Sequence, residues 1–177
     1  MTEPVKPRRH QGGRPPGRPR TGSRVAAVQA LFQAEQAQAS PETVIDEFVR
    51  HRLGEPASDN RFETGGFEDG RIADVHVPLF ARIVRAATLE QDILDPLLSA
   101  ALTEDWPLLR LDPVLRALLR AGAAELRMAD GPPAKVVINE YMDVAHGFFD
   151  GEEPRMANGV LDTLARQLRP AEFAATA

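Results

Sequence analysis

The sequence predicts an all-α protein, about seven helices in a compact two-subdomain helical bundle, preceded by a disordered basic arm. Three observations predict it. Beyond residue 22, apolar residues recur at three- and four-residue spacing; no segment alternates apolar and polar residues as a half-buried strand does; and capping residues divide the periodic segments at helical lengths. The 177 residues, 43% hydrophobic and 27% charged, suffice for one core but hardly for two.

The elements follow in chain order. Residues 1–21 are rich in Pro, Gly and Arg, cannot bury an apolar face, and are expected to be disordered. A folded body is expected over 22–170 and a short tail over 171–177. Ser23 is placed to cap a first helix whose Val25, Val28, Leu31 and Phe32 make one stripe. In "SPETVIDEFVRHRLG", Ser40 caps, Pro41 opens, Val44, Ile45, Phe48 and Val49 turn inward and Gly54 stops a second helix. The acidic stretch over 55–76 has no sustained period and reads as a long loop in which Phe62 and Phe67 are candidates to dock on the body. From Val77 to Leu102 the spacing predicts two consecutive helices, with Pro96 able to start or bend one. Trp106 then lies in a Pro-punctuated connection, and Asp112 with Pro113 opens "VLRALLRAGAAELRM". After "ADGPP" come a helix over "AKVVINEYMDVAHGFF" and a last one within Asp150 to Pro170. That last helix contains Asn158-Gly159, a turn dipeptide in a helical frame. Glycine costs roughly 1 kcal/mol against alanine there, so Gly159 is expected to admit a second helix closely and Asn158 to bond to backbone in the core.

Charge is distributed unevenly. Residues 1–24 hold seven basic side chains against Glu3 alone, a net +6; with −5 for the whole chain, the remainder carries −11. A basic arm on an acidic body is a footprint of polyanion contact, because phosphate neutralisation by Arg releases condensed counterions. Within the arm, "GRPPGRPR" repeats Gly-Arg-Pro and resembles the AT-hook, an extended segment that lays Arg into A·T-rich minor grooves. The absence of Cys excludes disulfides, thiolate metal sites and a thiol nucleophile, in keeping with a cytoplasmic chain. No apolar stretch approaches membrane-spanning length, and the N-terminal residues lack the apolar core of a signal peptide.

Catalytic signatures fail in turn: no Gly-rich phosphate loop, no His-Glu-x-x-His, no nucleophile elbow. Glu140, Asp143 and His146 share a helix face at three-residue spacing, the Glu-x-x-His grammar of carboxylate-bridged metal bundles. Such a site needs a second helix of the same kind, and the other long helix offers only Glu125, so no metal, no cofactor and no enzyme are expected.

"AAVQALFQAEQ" after a run of Arg, "VLRALLRAGAAEL", "PAKVVINEYMDVAH" and "NGVLD" occur in an order that resembles the NusB family of bacterial transcription antitermination factors, from Arg24 to Pro170. The resemblance implies two small helical bundles, no catalysis, and binding of boxA-type RNA of ribosomal RNA leaders together with the small-subunit ribosomal protein NusE, within a transcription elongation complex carrying other Nus factors. Carried over by residue, it implies RNA contacts by Arg18, Arg20, Arg24, Gln29, Phe32, Lys135, Phe148, Arg155, Met156 and Asn158. It implies a NusE face at Leu111, Val114 and Leu118, where apolar residues on both sides of the helix exceed one core stripe. Met156 stands where the family commonly has Phe; the missing ring removes roughly 1–3 kcal/mol of base stacking unless sulfur contacts replace it. Leu115 is apolar where some members carry a carboxylate. A helical protein–protein adaptor and an arm-tethered DNA-associated factor are the alternatives, the first needing only the apolar face and the second only the arm.

Overall fold

The computed structural model describes residues 19–54, 72 and 75–174. Residues 1–18 of the basic arm, Arg18 among them, and Phe62 and Phe67 lie outside them. Among the described residues seven α-helices follow one another: α1 Pro19–Ala37, α2 Pro41–His51, α3 Val77–Leu89, α4 Gln91–Ala101, α5 Pro113–Arg127, α6 Ala134–Phe148 and α7 Glu153–Leu168, with 3-10 turns at Leu108–Arg110 and Pro170–Glu172. Among the described residues the only β-type pairing is an isolated parallel bridge between Leu53 and Ile72. There Ile72 N–H donates to Arg52 O at 2.8 Å and Gly54 N–H to Ile72 O at 3.1 Å, so the chain returns to the point it left.

Local chemistry accounts for several boundaries. Ser40 Oγ accepts from Thr43 N–H at 3.2 Å, and Asp112 Oδ1 accepts from Val114 N–H at 2.8 Å, each satisfying an orphan donor of a first turn that a proline opens. At the other end of α5, Arg169 donates to the carbonyls of Leu126, Glu125 and Met128, while Glu172 accepts from Ala134 N–H at the start of α6. Glu172, expected in the C-terminal tail, is thus bonded to the body.

The start of α1 differs from the expectation. The helix begins at Pro19, inside the predicted arm, and Ser23 is a buried interior residue rather than a cap. Its Oγ donates to His76 O and accepts from His76 N–H, both at 2.9 Å, pinning α1 to the entrance of α3.

At the centre lies α5, packed against α1, α3, α4, α6 and α7. From Leu115 to Leu126 every residue of it is buried. The molecule's own helices cover its apolar residues, and the three charged residues of the stretch, Arg116, Arg120 and Glu125, are buried in ion pairs. Leu111 and Leu118, expected to meet a partner, are 5% and 0% exposed and belong to the core. Only Val114 of that set stays half-buried at the surface. The apolar side chain that projects into solvent nearby is Leu109, 81% exposed on the preceding 3-10 turn.

Candidate nucleic-acid interface

Two helices build the site. α1 and α6 lie side by side and run in the same direction: Thr21 and Arg24 near the start of α1 meet Glu140, and Phe32 near its end shares a groove with Phe148 at the end of α6. The seam between them therefore has a basic end and an aromatic end. At the basic end Arg20 and Lys135 are both exposed, in the opening turns of α1 and α6. Twelve residues further along α1, about 18 Å at helical rise, comes Phe32.

At the aromatic end Gln29, Phe32, Gln33, Gln36, Ala37, Arg52, Val114 and Phe148 line a groove of about 520 Å³. Three residues expected to touch RNA, Gln29, Phe32 and Phe148, converge here with one expected to touch a protein, Val114. The ends of four helices meet at this place, which is why segments far apart in sequence supply one wall each. Both rings are half-buried and packed against the core, so each is held in place with part of its surface open. Rings fixed in this way suit base stacking, and side-chain amides beside them suit the edges of bases.

Arg24 does not belong to this surface. Its Nε and Nη2 donate to the two oxygens of Glu125 at 2.9 and 2.5 Å, and its Nη1 to Glu140 Oε2 at 3.0 Å, an oxygen that also accepts from Thr21 Oγ1 at 2.7 Å. The Arg24 and Glu125 side chains are 2% and 0% exposed. Burial opposes the charge of Arg24, and the hydrogen bond and field of Glu125 outweigh it, holding the guanidinium above its ordinary value. Beside them the buried Tyr141 hydroxyl is pushed well above its usual range, by burial first and by the Glu125 charge next. The period alone does not separate it: residue 24 falls on the face of Ala27, Val28 and Leu31, all buried, and so does the exposed Arg20 four residues earlier. Glu140, a candidate metal ligand by spacing, is committed to Arg24 and Thr21; among the described residues no group of three or more His, Asp or Glu is arranged to hold a metal ion.

The NusB family model matches residues 21–166. The chain belongs to the NusB family. Among its relatives, the transcription antitermination protein NusB of Granulibacter bethesdensis is 73% identical over 158 residues, covering 89% of this chain and 93% of that protein. The structure of T. maritima NusB superposes with a TM-score of 0.66 at 25% identity, over 89% of this chain and 99% of the other. A chain of the crystal structure of antitermination factors NusB and NusE in complex with dsRNA shares the fold, with a TM-score of 0.62 at 20% identity over 83% and 96% of the two chains.

In this NusB-family chain the remaining candidates gather elsewhere. Arg155 and Met156 line a second groove of about 430 Å³ with Trp106, Glu152, Gly159 and Thr163, reached from Phe148 along the connection that leads into α7. Asn158 is exposed on the same helix, not bonded into the core, and a methyl group added at Gly159 would meet nothing within 4 Å. Both expectations for the Asn-Gly pair fail, because α7 turns these two residues outward. The glycine that admits a neighbouring helix is Gly122 of α5, where an added Cβ would stand 2.9 Å from Leu161 Cδ2. Sequence reasoning also passes over Arg52, Gln33 and Gln36, for which spacing offers no signal beyond helix termini.

Proposed function

We propose that this chain is an RNA-binding transcription antitermination factor of the cytoplasm. It takes boxA-type RNA of ribosomal RNA leaders together with the small-subunit ribosomal protein NusE, in a transcription elongation complex with other Nus factors. The observation that carries the reading is the single groove in which Gln29, Phe32 and Phe148 converge, at one end of a seam whose other end bears Arg20 and Lys135. The name of the 73% identical relative supports it, as does the solved complex of NusB and NusE with dsRNA. Bases stack on the two rings, the amides read their edges, and Arg20 and Lys135 neutralise phosphates further along the strand. Arg18 is a further RNA contact by the family resemblance, and Arg155, Met156 and Asn158 extend the contact toward α7. Of the apolar residues first assigned to NusE, Val114 is the one that stays at the surface, so the protein partner and the RNA meet at the same groove.

The test is binding of a boxA-type RNA and a scrambled RNA of equal length to the full chain, with and without the ribosomal protein. BoxA preference is expected, strengthened by the protein partner and weakened as salt rises, since counterion release drives phosphate contacts. Equal binding of the two RNAs with the partner present overturns the reading.

A further inference from the structure

The arginines of this molecule divide into two groups. Among the described residues, Arg24, Arg50, Arg82, Arg85, Arg116, Arg120, Arg127, Arg166 and Arg169 each have a carboxylate within ion-pair distance. Arg20, Arg52, Arg110 and Arg155 have none among those residues. Two of these four, Arg20 and Arg155, are positions the family resemblance assigns to RNA. Arg52 had no assignment, and it lines the groove of Gln29, Phe32 and Phe148.

Arg52 is also held in place. Its N–H donates to Phe48 O and its carbonyl accepts from Ile72 N–H, both at 2.8 Å, which fixes its backbone at the end of α2. Its guanidinium carbon lies 5.2 Å from the centroid of the Phe48 ring, and that ring is fully buried and stacked on Phe80. The arginine thus rests on a buried ring, exposed, with its N–H groups unclaimed by any described acceptor. The groove beneath it is walled by amides, rings and small apolar groups without a carboxylate, although the chain as a whole carries −5. Glu47, on the same helix, is tied to Gln33 Nε2 at 2.7 Å.

We infer that Arg52 is a further RNA-binding residue, a phosphate anchor for the strand whose bases enter the groove between Phe32 and Phe148. The inference rests on the RNA-binding reading above. A planar guanidinium whose donors no described acceptor claims matches a phosphate's paired oxygens, and a cation lining a ring-walled groove without a carboxylate fits a polyanion better than it fits a basic ribosomal protein. A phosphate anchor positions the strand and carries no sequence information, so its loss weakens every RNA alike.

The experiment measures RNA affinity of the full chain against salt concentration, with boxA-type and scrambled RNA, and separately binding of the ribosomal protein, for wild type, Arg52→Ala, Arg52→Gln and Arg110→Ala. Arg110 is the control, an exposed arginine with no described carboxylate in ion-pair distance that lines neither groove. Both Arg52 variants are expected to bind the two RNAs severalfold more weakly, to keep the ratio between them, and to lower the slope of log affinity against log salt by about 0.7, the single-strand value for one phosphate. Arg110→Ala is expected to behave as wild type. Unchanged affinity and slope in a folded Arg52 variant overturn the inference while leaving boxA preference of the wild type, and with it the function, standing. Loss of ribosomal-protein binding with RNA binding intact also overturns it, moving Arg52 to the protein interface. A wild type that binds no RNA removes both readings together.

Discussion

Arg24 keeps a charge inside the molecule because two carboxylates meet it there. Removing one partner of a buried pair leaves the other ionised and desolvated, a loss of about 3–5 kcal/mol, so Arg24→Ala is expected to lower the thermal midpoint sharply or prevent folding. Arg24→Lys does not rescue it, since a single ammonium cannot hold both Glu125 oxygens as the guanidinium fork does. Arg20→Ala, one turn earlier and exposed, is expected to leave the melting curve in place while weakening RNA binding. Circular dichroism melts read beside RNA titrations distinguish the two; a stable, folded Arg24→Ala refutes the structural role. Sequence alone makes these arginines look equivalent, both lying in the basic run before the first apolar stripe. What separates them is a partner 101 residues away on another helix.

Two glycines carry the corresponding argument for elements. Gly159 sits on an outward face of α7 with open space around its α-carbon, so Gly159→Ala is expected to raise stability by up to about 1 kcal/mol through helix propensity alone. Gly122 sits where α5 and α7 cross, with Leu161 at 2.9 Å and Tyr141 at 3.5 Å from the point an added methyl carbon would occupy, and both of those side chains are fully buried. Overpacking there costs typically about 1–3 kcal/mol, so Gly122→Ala is expected to fall below the wild type despite the same gain in propensity. Urea midpoints of the two variants check this; opposite signs from those expected would place the close approach at the wrong glycine. Helix periodicity locates α5 and α7 without difficulty, and the caps at Ser40 and Asp112 are legible for the same reason, that the interaction spans a few residues. Which face of α7 turns outward depends on what α5 and α6 present to it.

The whole molecule is clamped by ion pairs that span helices. Glu35 of α1 accepts from Arg116 and Arg120 of α5, and Arg120 also donates to Asp95 of α4 at 2.8 Å, tying three helices at one place. The hydrogen bond from Arg116, against the cost of burial and with help from Arg120, holds the Glu35 carboxyl below its ordinary value. A carboxylate with a depressed folded pKa contributes stability that is present above its unfolded value, about 4.3, and is lost as pH falls through the folded value below it. Thermal midpoints are therefore expected to drop on acidification in that lower range. Glu35→Gln is expected to start from a lower midpoint at neutral pH and to drop less; an acid limb identical to wild type would remove Glu35 from the account. Gln29, Phe32 and Phe148 were legible through family resemblance, since their sequence blocks are specific, but nothing in the chain order shows that they share a groove with Arg52. By itself the sequence determined the number and order of the helices, the caps at Ser40 and Asp112, the family and the uneven charge, because each rests on residues close together or on blocks that can be matched one by one. Only the tertiary structure decided that Arg24, Leu111 and Leu118 are interior, that Arg52 faces the groove, and that Asn158 and Gly159 face solvent. Burial and ion pairing are set by what the other helices bring to the same point in space, and five of them surround α5.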